Sequence, residues 1–258
     1  MIYDTLQVTL ENDVAVIRLN RPDVMNALNT QMRAELTAAV SEMGRTARVV
    51  VLTGTGASFC SGQDLGDGSN LANLDLERTL RDEYEPMLQA IINCPVPTIT
   101  ALNGVAAGAG ANLALAADVV IATKSAYFTQ AFTKIGLIPD AGGTYFLPRL
   151  VGQAKAMGAA LFAEKITAEQ ADVWGMIFEV VEDDTFDAHW RARADKLAGG
   201  PSVAYKNIKQ ALGKTWNNSL EEQLSLEAKL QKECGNTRDF QEGILSFIEK
   251  RAPKFEGR

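Results

Sequence analysis

Three short segments of this 258-residue chain hold residue types whose spacing suits chemistry at a developing oxyanion. The first two are Phe59-Cys60-Ser61-Gly62-Gln63-Asp64 and Asn103-Gly104-Val105-Ala106-Ala107-Gly108-Ala109-Gly110-Ala111-Asn112. Each follows a β-type apolar run, and the second opens directly into an apolar helical stretch. Backbone N–H groups at such glycine-rich turns can converge on one oxygen, and a helix N-terminus adds partial positive charge to the same place. An oxyanion hole is the expectation. The third segment, Pro139-Asp140-Ala141-Gly142-Gly143, sets a carboxylate in a turn ahead of a helix expected near Thr144. An aspartate there either helps the turn or carries a proton. Phe128, Phe132, Ile135, Leu137 and Ile138 supply apolar surroundings in sequence, and desolvation of that kind raises a carboxyl pKa.

These segments need a scaffold, and its elements are legible. Leu6 to Leu10 and Val14 to Leu19 read as a β-hairpin around Asn12-Asp13. Asn29 then caps an amphipathic helix reaching about Gly44. Val49 to Thr53, Thr98 to Leu102 and Asp118 to Ala122 are short apolar β-runs, with helical stretches near residues 73–93 and 108–117 between them. Strand and helix alternate, so an α/β layered core follows. Residues 1–200 read as that core. After Gly199-Gly200-Pro201 no convincing strand remains, and residues 201–258 read as a helical subdomain. Within it Ser219-Leu220-Glu221-Glu222 has capping-box form, and Leu220, Leu224, Leu226 and Leu230 form a stripe that packs either on the core or on a neighbouring subunit. Residues 66–86, with Gly66, Gly68 and Ser69 before a charged helix, are expected to form a mobile wall of the site.

Composition narrows the function classes. The net charge of −7 argues against a nucleic-acid partner. Cys60, Cys94 and Cys234 form no CxxC pair and the N-terminus lacks signal-peptide form, so a cytoplasmic protein is expected. Residues 101–122 have membrane-span length, but Asn103, Gly104, Gly108, Asn112 and Asp118 interrupt them, and no membrane partner is expected. His189 is the only histidine, which excludes a multi-histidine metal site, and no metal is expected. Cys60 reads as a packing residue. No nucleotide-cofactor fingerprint occurs.

Five segments in order carry a resemblance: Leu19 to Leu28, Phe59 to Leu65, Asn103 to Gly110, Ala116-Ala117-Asp118, and Gly136 to Thr144. Together they make the chain resemble the crotonase superfamily, the enoyl-CoA hydratase/isomerase fold, over nearly its whole length. The resemblance implies a spiral of repeated β-β-α units with a C-terminal helical oligomerisation subdomain, assembled as a homotrimer or homohexamer. It implies an acyl-CoA thioester substrate, with coenzyme A as part of that substrate and no separate cofactor.

By the same resemblance, the oxyanion-hole donors are the N–H groups of Gln63 and Ala109. Hydratases of the family carry two water-activating glutamates at positions held here by Asn112 and Phe132, and neither side chain can accept a proton. Dienoyl-CoA isomerases place an aspartate where Asp140 stands. Asp140 is therefore the expected base, and Asn112 either hydrogen-bonds substrate or braces its loop. Met25, Ala27, Ser61, Gly62, Asp64, Leu65, Gly108 and Phe132 line the expected substrate path. Arg21 and Lys254 are candidates for the CoA phosphates, Lys254 from another subunit.

Within the superfamily, the run Val105 to Leu115, the segment Gly136 to Thr144 and the Ala168 to Ile177 segment most resemble ring-1,2-epoxyphenylacetyl-CoA isomerases, which form oxepin-CoA. An acyl-CoA isomerase that also shifts double bonds in 3-enoyl-CoA is the implied activity. Its rivals are another crotonase reaction, namely an enoyl- or dienoyl-CoA isomerase or hydratase or an aryl-CoA dehalogenase with a carboxylate nucleophile, and a non-catalytic acyl-CoA-binding or RNA-associated protein.

Overall fold

A computed structural model of the chain describes residues 3–66 and 75–258. Strands β1 (Leu6–Glu11) and β2 (Val14–Leu19) form the expected hairpin, and Asn12 and Asp13 both take positive φ, the geometry of a tight hairpin turn. Helix α1 (Thr30–Thr46) follows, capped by the Asn29 side chain, which accepts from the Met32 N–H at 2.9 Å. Such a cap contributes about 1 kcal/mol. Met32, Leu36, Ala39 and Val40 recur at helical spacing and are buried on the sheet.

Then the chain winds. β3 (Val49–Gly54) is buried at every position and passes into the short β4 (Ser58–Cys60). Helices α2 (Leu76–Thr79) and α3 (Glu85–Ile92) are joined by a π turn over Leu80–Tyr84. The next turn is β5 (Thr98–Leu102), β6 (Val105–Ala107) and α4 (Ala109–Leu115). After it come β7 (Val119–Thr123), β8 (Tyr127–Thr129), a 3₁₀ turn at Ala131–Ile135 and α5 (Gly143–Phe162), which Gly152 interrupts with φ 75°. β9 (Ile166–Thr167), α6 (Ala168–Val173), β10 (Glu179–Val181) and α7 (Phe186–Ala198) close the spiral. Helices α8 (Ser202–Lys214), α9 (Leu220–Gly235) and α10 (Arg238–Ile248) follow.

The strands sort into two sheets. One runs β1-β2-β3-β5-β7-β10, parallel except for β1, and the other runs β4-β6-β8-β9. The turns that begin with β3, β5 and β7 each give one strand to each sheet before a helical stretch, and α4 among these is buried along its whole length. The strands of the second sheet have two or three residues each, too short for alternation to register in sequence. Residues 101–122 resolve into β5, β6, α4 and the start of β7, and among the described residues no helix is long and apolar enough to cross a membrane.

Of residues 66–86, residues 67–74 lie outside those described, while the helical stretch expected near 73–93 forms from Leu76 onward and buries Tyr84. The α9 stripe does not pack on the core as a unit: Leu230 is buried, but Leu220 and Leu224 are exposed. What ties this region to the spiral is polar. Lys209 on α8 donates to the Val96 carbonyl and pairs with Asp118 at 2.6 Å, while Asp118 accepts from Thr98.

Adjacent turns of the spiral touch backbone to backbone. A Cβ at Gly110 would stand 2.3 Å from the Cys60 carbonyl oxygen. Gly110→Ala is therefore expected to destabilise the fold by about 1–3 kcal/mol, because main chain cannot yield as a side chain does. Urea unfolding measures this, and an unchanged midpoint would mean that α4 does not abut β4 so closely.

Candidate active site

The first glycine-rich loop leaves β4 and runs beside Leu28. The Leu28 N–H donates to the Gly62 carbonyl at 2.8 Å and the Asp64 N–H donates to the Leu28 carbonyl at 3.1 Å, so Gln63 is held in a one-residue bridge. The Ser61 N–H donates to the Met25 carbonyl, placing Met25 and Ala27 against Ser61 and Gly62. Arg21 commits one guanidinium nitrogen, Nη1, to this loop. It donates to the Ala27 carbonyl and pairs with Asp64, each at 2.7 Å, which holds the Asp64 carboxyl below its usual range despite burial. Met25 and Leu65 are exposed beside this loop, and Ala27 is buried.

The second loop meets the first at Gly62. With φ 97°, Gly62 takes a conformation that favours glycine, and a Cβ there would stand 2.8 Å from the Ala107 carbonyl oxygen and 3.5 Å from the Ala109 nitrogen. Gly108, φ 52°, begins α4, and a Cβ on it would lie 3.7 Å from the Phe132 ring. Ala109 is the first residue of that helix, so its N–H has no intrahelical partner. Neither the Gln63 nor the Ala109 N–H donates a backbone hydrogen bond among the described residues. Two free donors at one junction, one at a helix N-terminus, form an arrangement able to stabilise an enolate oxygen.

Asp140 is brought to this junction by a strained turn. Ala141 and Gly142 both have positive φ, 46° and 82°, and α5 starts directly after them. A non-glycine residue in the left-handed region costs about 1 kcal/mol, offset here by a doubly held carbonyl. The Asp140 C=O accepts from Gly143 N–H at 2.8 Å and from Asn112 Nδ2 at 2.7 Å. Asn112 is wholly buried on α4, and its Oδ1 accepts from Gln130 Nε2 at 2.9 Å. The approach is close enough that a Cβ on Gly143 would stand 2.4 Å from Asn112 Nδ2. Of the two roles open to Asn112, the geometry shows the brace, with the carboxamide spent inside the protein.

The Asp140 Oδ1 is buried with no hydrogen-bond partner. Burial pushes the carboxyl up to about 6, only partly offset by its own backbone N–H. Ile135 and Ile138 do not provide that burial, since both are exposed, Ile138 at 76%. Phe128 and Phe132 are buried, and Leu137 is half-buried. Cys60 is fully buried, which raises its thiol to about 12 and removes it as a nucleophile. His189 pairs with Glu179 at 2.8 Å on α7. Lys254 is exposed beside α10, where its N–H donates to Glu242, and this chain alone does not bring it to Asp140. Groups of acidic, histidine and cysteine side chains that could hold a metal ion are absent among the described residues.

Three residues of this neighbourhood gave no local signal: Arg33, Tyr84 and Gln130. Arg33 breaks the polar-outside pattern of α1 by being 2% exposed, which only its partners explain.

The profile of the family described as enoyl-CoA hydratase/isomerase matches residues 9–258. The chain belongs to the enoyl-CoA hydratase/isomerase family. Its two-sheet spiral is the crotonase fold. A Rhodobacter capsulatus protein named "Probable enoyl-CoA hydratase" is 59% identical over all of both chains. The Escherichia coli 1,2-epoxyphenylacetyl-CoA isomerase is 43% identical, over 96% of this chain and 97% of its own. The crystal structure of an enoyl-CoA hydratase from Bacillus anthracis superposes with a TM-score of 0.91 at 30% identity, covering 99% of this chain and 100% of its own.

The raised carboxyl has a consequence for stability. An unfolded aspartate has a pKa of about 3.9, and burial pushes that of folded Asp140 up to about 6. Between those values the folded state binds more protons, so the contribution of this group to stability falls as pH rises through that window. The neutral Asp140→Asn variant should unfold at a higher temperature than the parent above pH 6, with the difference shrinking towards pH 4. A difference independent of pH would refute the raised pKa.

Proposed function

We propose that this protein is an isomerase of ring-1,2-epoxyphenylacetyl-CoA, forming oxepin-CoA, and that it also converts 3-enoyl-CoA to 2-enoyl-CoA. The observation that carries the proposal is the desolvated Asp140 carboxyl, its Oδ1 without a partner, on a turn braced by the same helix α4 that begins with the free Ala109 N–H. In the double-bond shift, Asp140 takes a proton from C2 of the acyl chain and the charge moves onto the thioester oxygen, held by the Gln63 and Ala109 N–H groups. The same carboxyl then returns the proton at C4, and the C3–C4 double bond becomes C2–C3. No water enters and no atom is lost. With the ring epoxide, proton removal at C2 and its return bracket the opening of the three-membered ring into the seven-membered one, again with no change in composition.

A pair of donors aimed at the forming oxyanion is worth roughly 3–4 kcal/mol for each one lost. That term serves every reaction of the family and selects none. Selection falls to the carboxylates. The positions of the hydratase glutamates hold Asn112, whose carboxamide is committed to Gln130 and Asp140, and Phe132, which is buried. A second reading, 2-enoyl-CoA hydration, is favoured by the name of the Rhodobacter capsulatus relative. The substrate class is an acyl-CoA on either reading.

We also propose a homotrimer or homohexamer, supported by exposed apolar side chains along α8 to α10, among them Leu212, Leu220, Leu224 and Phe247, the last 84% exposed. Sedimentation velocity should return three or six chain masses, and a monomer at micromolar concentration would refute this.

The activity is tested on three thioesters side by side: the ring epoxide of phenylacetyl-CoA, a 3-enoyl-CoA and a 2-enoyl-CoA. The parent should convert the first two and leave the third unhydrated, with kcat/KM rising as pH passes about 6 and then levelling. Asp140→Asn should lose roughly 10²–10⁴ of that rate. Robust hydration of the third substrate, or an undiminished Asp140→Asn, would overturn the assignment.

A further inference from the structure

The side chain of Gln63 is firmly held, although only its backbone N–H faces the chemistry. Its Oε1 accepts from the Tyr84 hydroxyl at 2.5 Å and from Arg33 Nη1 at 2.9 Å. The same Nη1 donates to the Leu28 carbonyl at 2.7 Å, so one nitrogen spans both sides of the Leu28–Gln63 bridge. The remaining donors of Arg33 are also met. Nε and Nη2 reach Glu83 at 2.9 and 2.6 Å, and Nη2 reaches Thr30 Oγ1 at 3.1 Å. The guanidinium lies 4.9 Å from the centre of the Tyr84 ring.

Burying a guanidinium is costly unless its donors are paired, so this group is a rigid post rather than a mobile side chain. Its other half stands on the π turn. A π turn widens the helix by one residue, and here two sequence neighbours, Glu83 and Tyr84, both meet Arg33. Burial raises the pKa of Tyr84, which keeps its hydroxyl protonated and donating. On its other flank the loop is held by Arg21 and Asp64.

We propose that Arg33 and Tyr84 are positioning residues of the oxyanion hole, gripping the Gln63 carboxamide oxygen so that the Gln63 N–H stays aimed at the substrate oxygen. This rests on the reading of that N–H as an oxyanion donor. Neither residue touches the acyl group. Their contribution is preorganisation: a hydrogen bond weakens steeply with misalignment, and a donor already in place spends nothing on reorganisation as charge develops. The clamp therefore acts on enolate stabilisation and not on thioester binding in general.

A 3-oxoacyl-CoA separates the two, because its enolate absorbs in the near ultraviolet apart from the keto form. The enolate fraction bound at fixed pH is measured for the parent, Tyr84→Phe, Gln63→Met and the double variant, alongside the Kd of a saturated acyl-CoA. Tyr84→Phe keeps the ring against Arg33, and Gln63→Met keeps the backbone N–H. Each single variant should lose about tenfold in enolate affinity, with the saturated thioester bound as before. The double variant should lose no more than Gln63→Met alone, since that substitution already removes the oxygen to which Tyr84 donates. Additive losses, an equal loss for the saturated thioester, or no loss would each overturn the clamp. A parent that does not enrich the enolate would instead remove the oxyanion reading itself. Should Tyr84→Phe fail to fold, Gln63→Met, which alters no helix, decides the question.

Discussion

Two stretches of main chain can aim N–H groups at one oxygen only if nothing stands between them, and at Gly62 and Gly110 nothing does. A Cβ at Gly62 would press on the Ala107 carbonyl, and one at Gly110 would press on that of Cys60. The stacking of successive spiral turns is therefore set by backbone contact. From it follow the position of the α4 N-terminus, the free N–H of Ala109 and its nearness to the bridge that holds Gln63. A side chain at either glycine would move the two donors apart.

The carboxylate depends on the same helix. Asn112 lies three residues beyond Ala109 on α4 and binds the main chain of Asp140, so the turn that bears the carboxyl is referenced to the helix that bears a free N–H. Strain at Ala141 is the cost of pointing the turn inward, and the doubly accepting Asp140 carbonyl offsets it. Because Asn112 is committed to this brace, α4 presents no acid of its own. The Asn112 carboxamide instead stabilises the loop that carries Asp140. Arg33 and Tyr84 perform the corresponding service for Gln63 from the opposite side.

Much of this was legible locally. The hairpin turn, the Asn29 cap, the buried runs of β3 and β5 and the Ser219 capping box depend on residues near one another in sequence, and each formed as expected. The short strands β4, β6 and β8 escaped the periodicity because three residues cannot display a period of two. Ile135 and Ile138 misled for a related reason: neighbours in sequence are not neighbours of a carboxylate when the chain turns at Gly136, φ 76°.

The sequence by itself determined the family, the two glycine-rich loops, the aspartate in its turn and the lack of carboxylates at Asn112 and Phe132, since all of these are written in residue type and order. Only the tertiary structure decided which groups are paired. Arg33 meets Gln63 across 30 residues and Tyr84 meets it across 21, while Asn112 reaches Asp140 across 28. Pairing at such separations depends on how the turns stack, and so does the desolvation that lifts Asp140 to about 6. Solvent exclusion is a property of the surrounding volume, and no local stretch of chain specifies it.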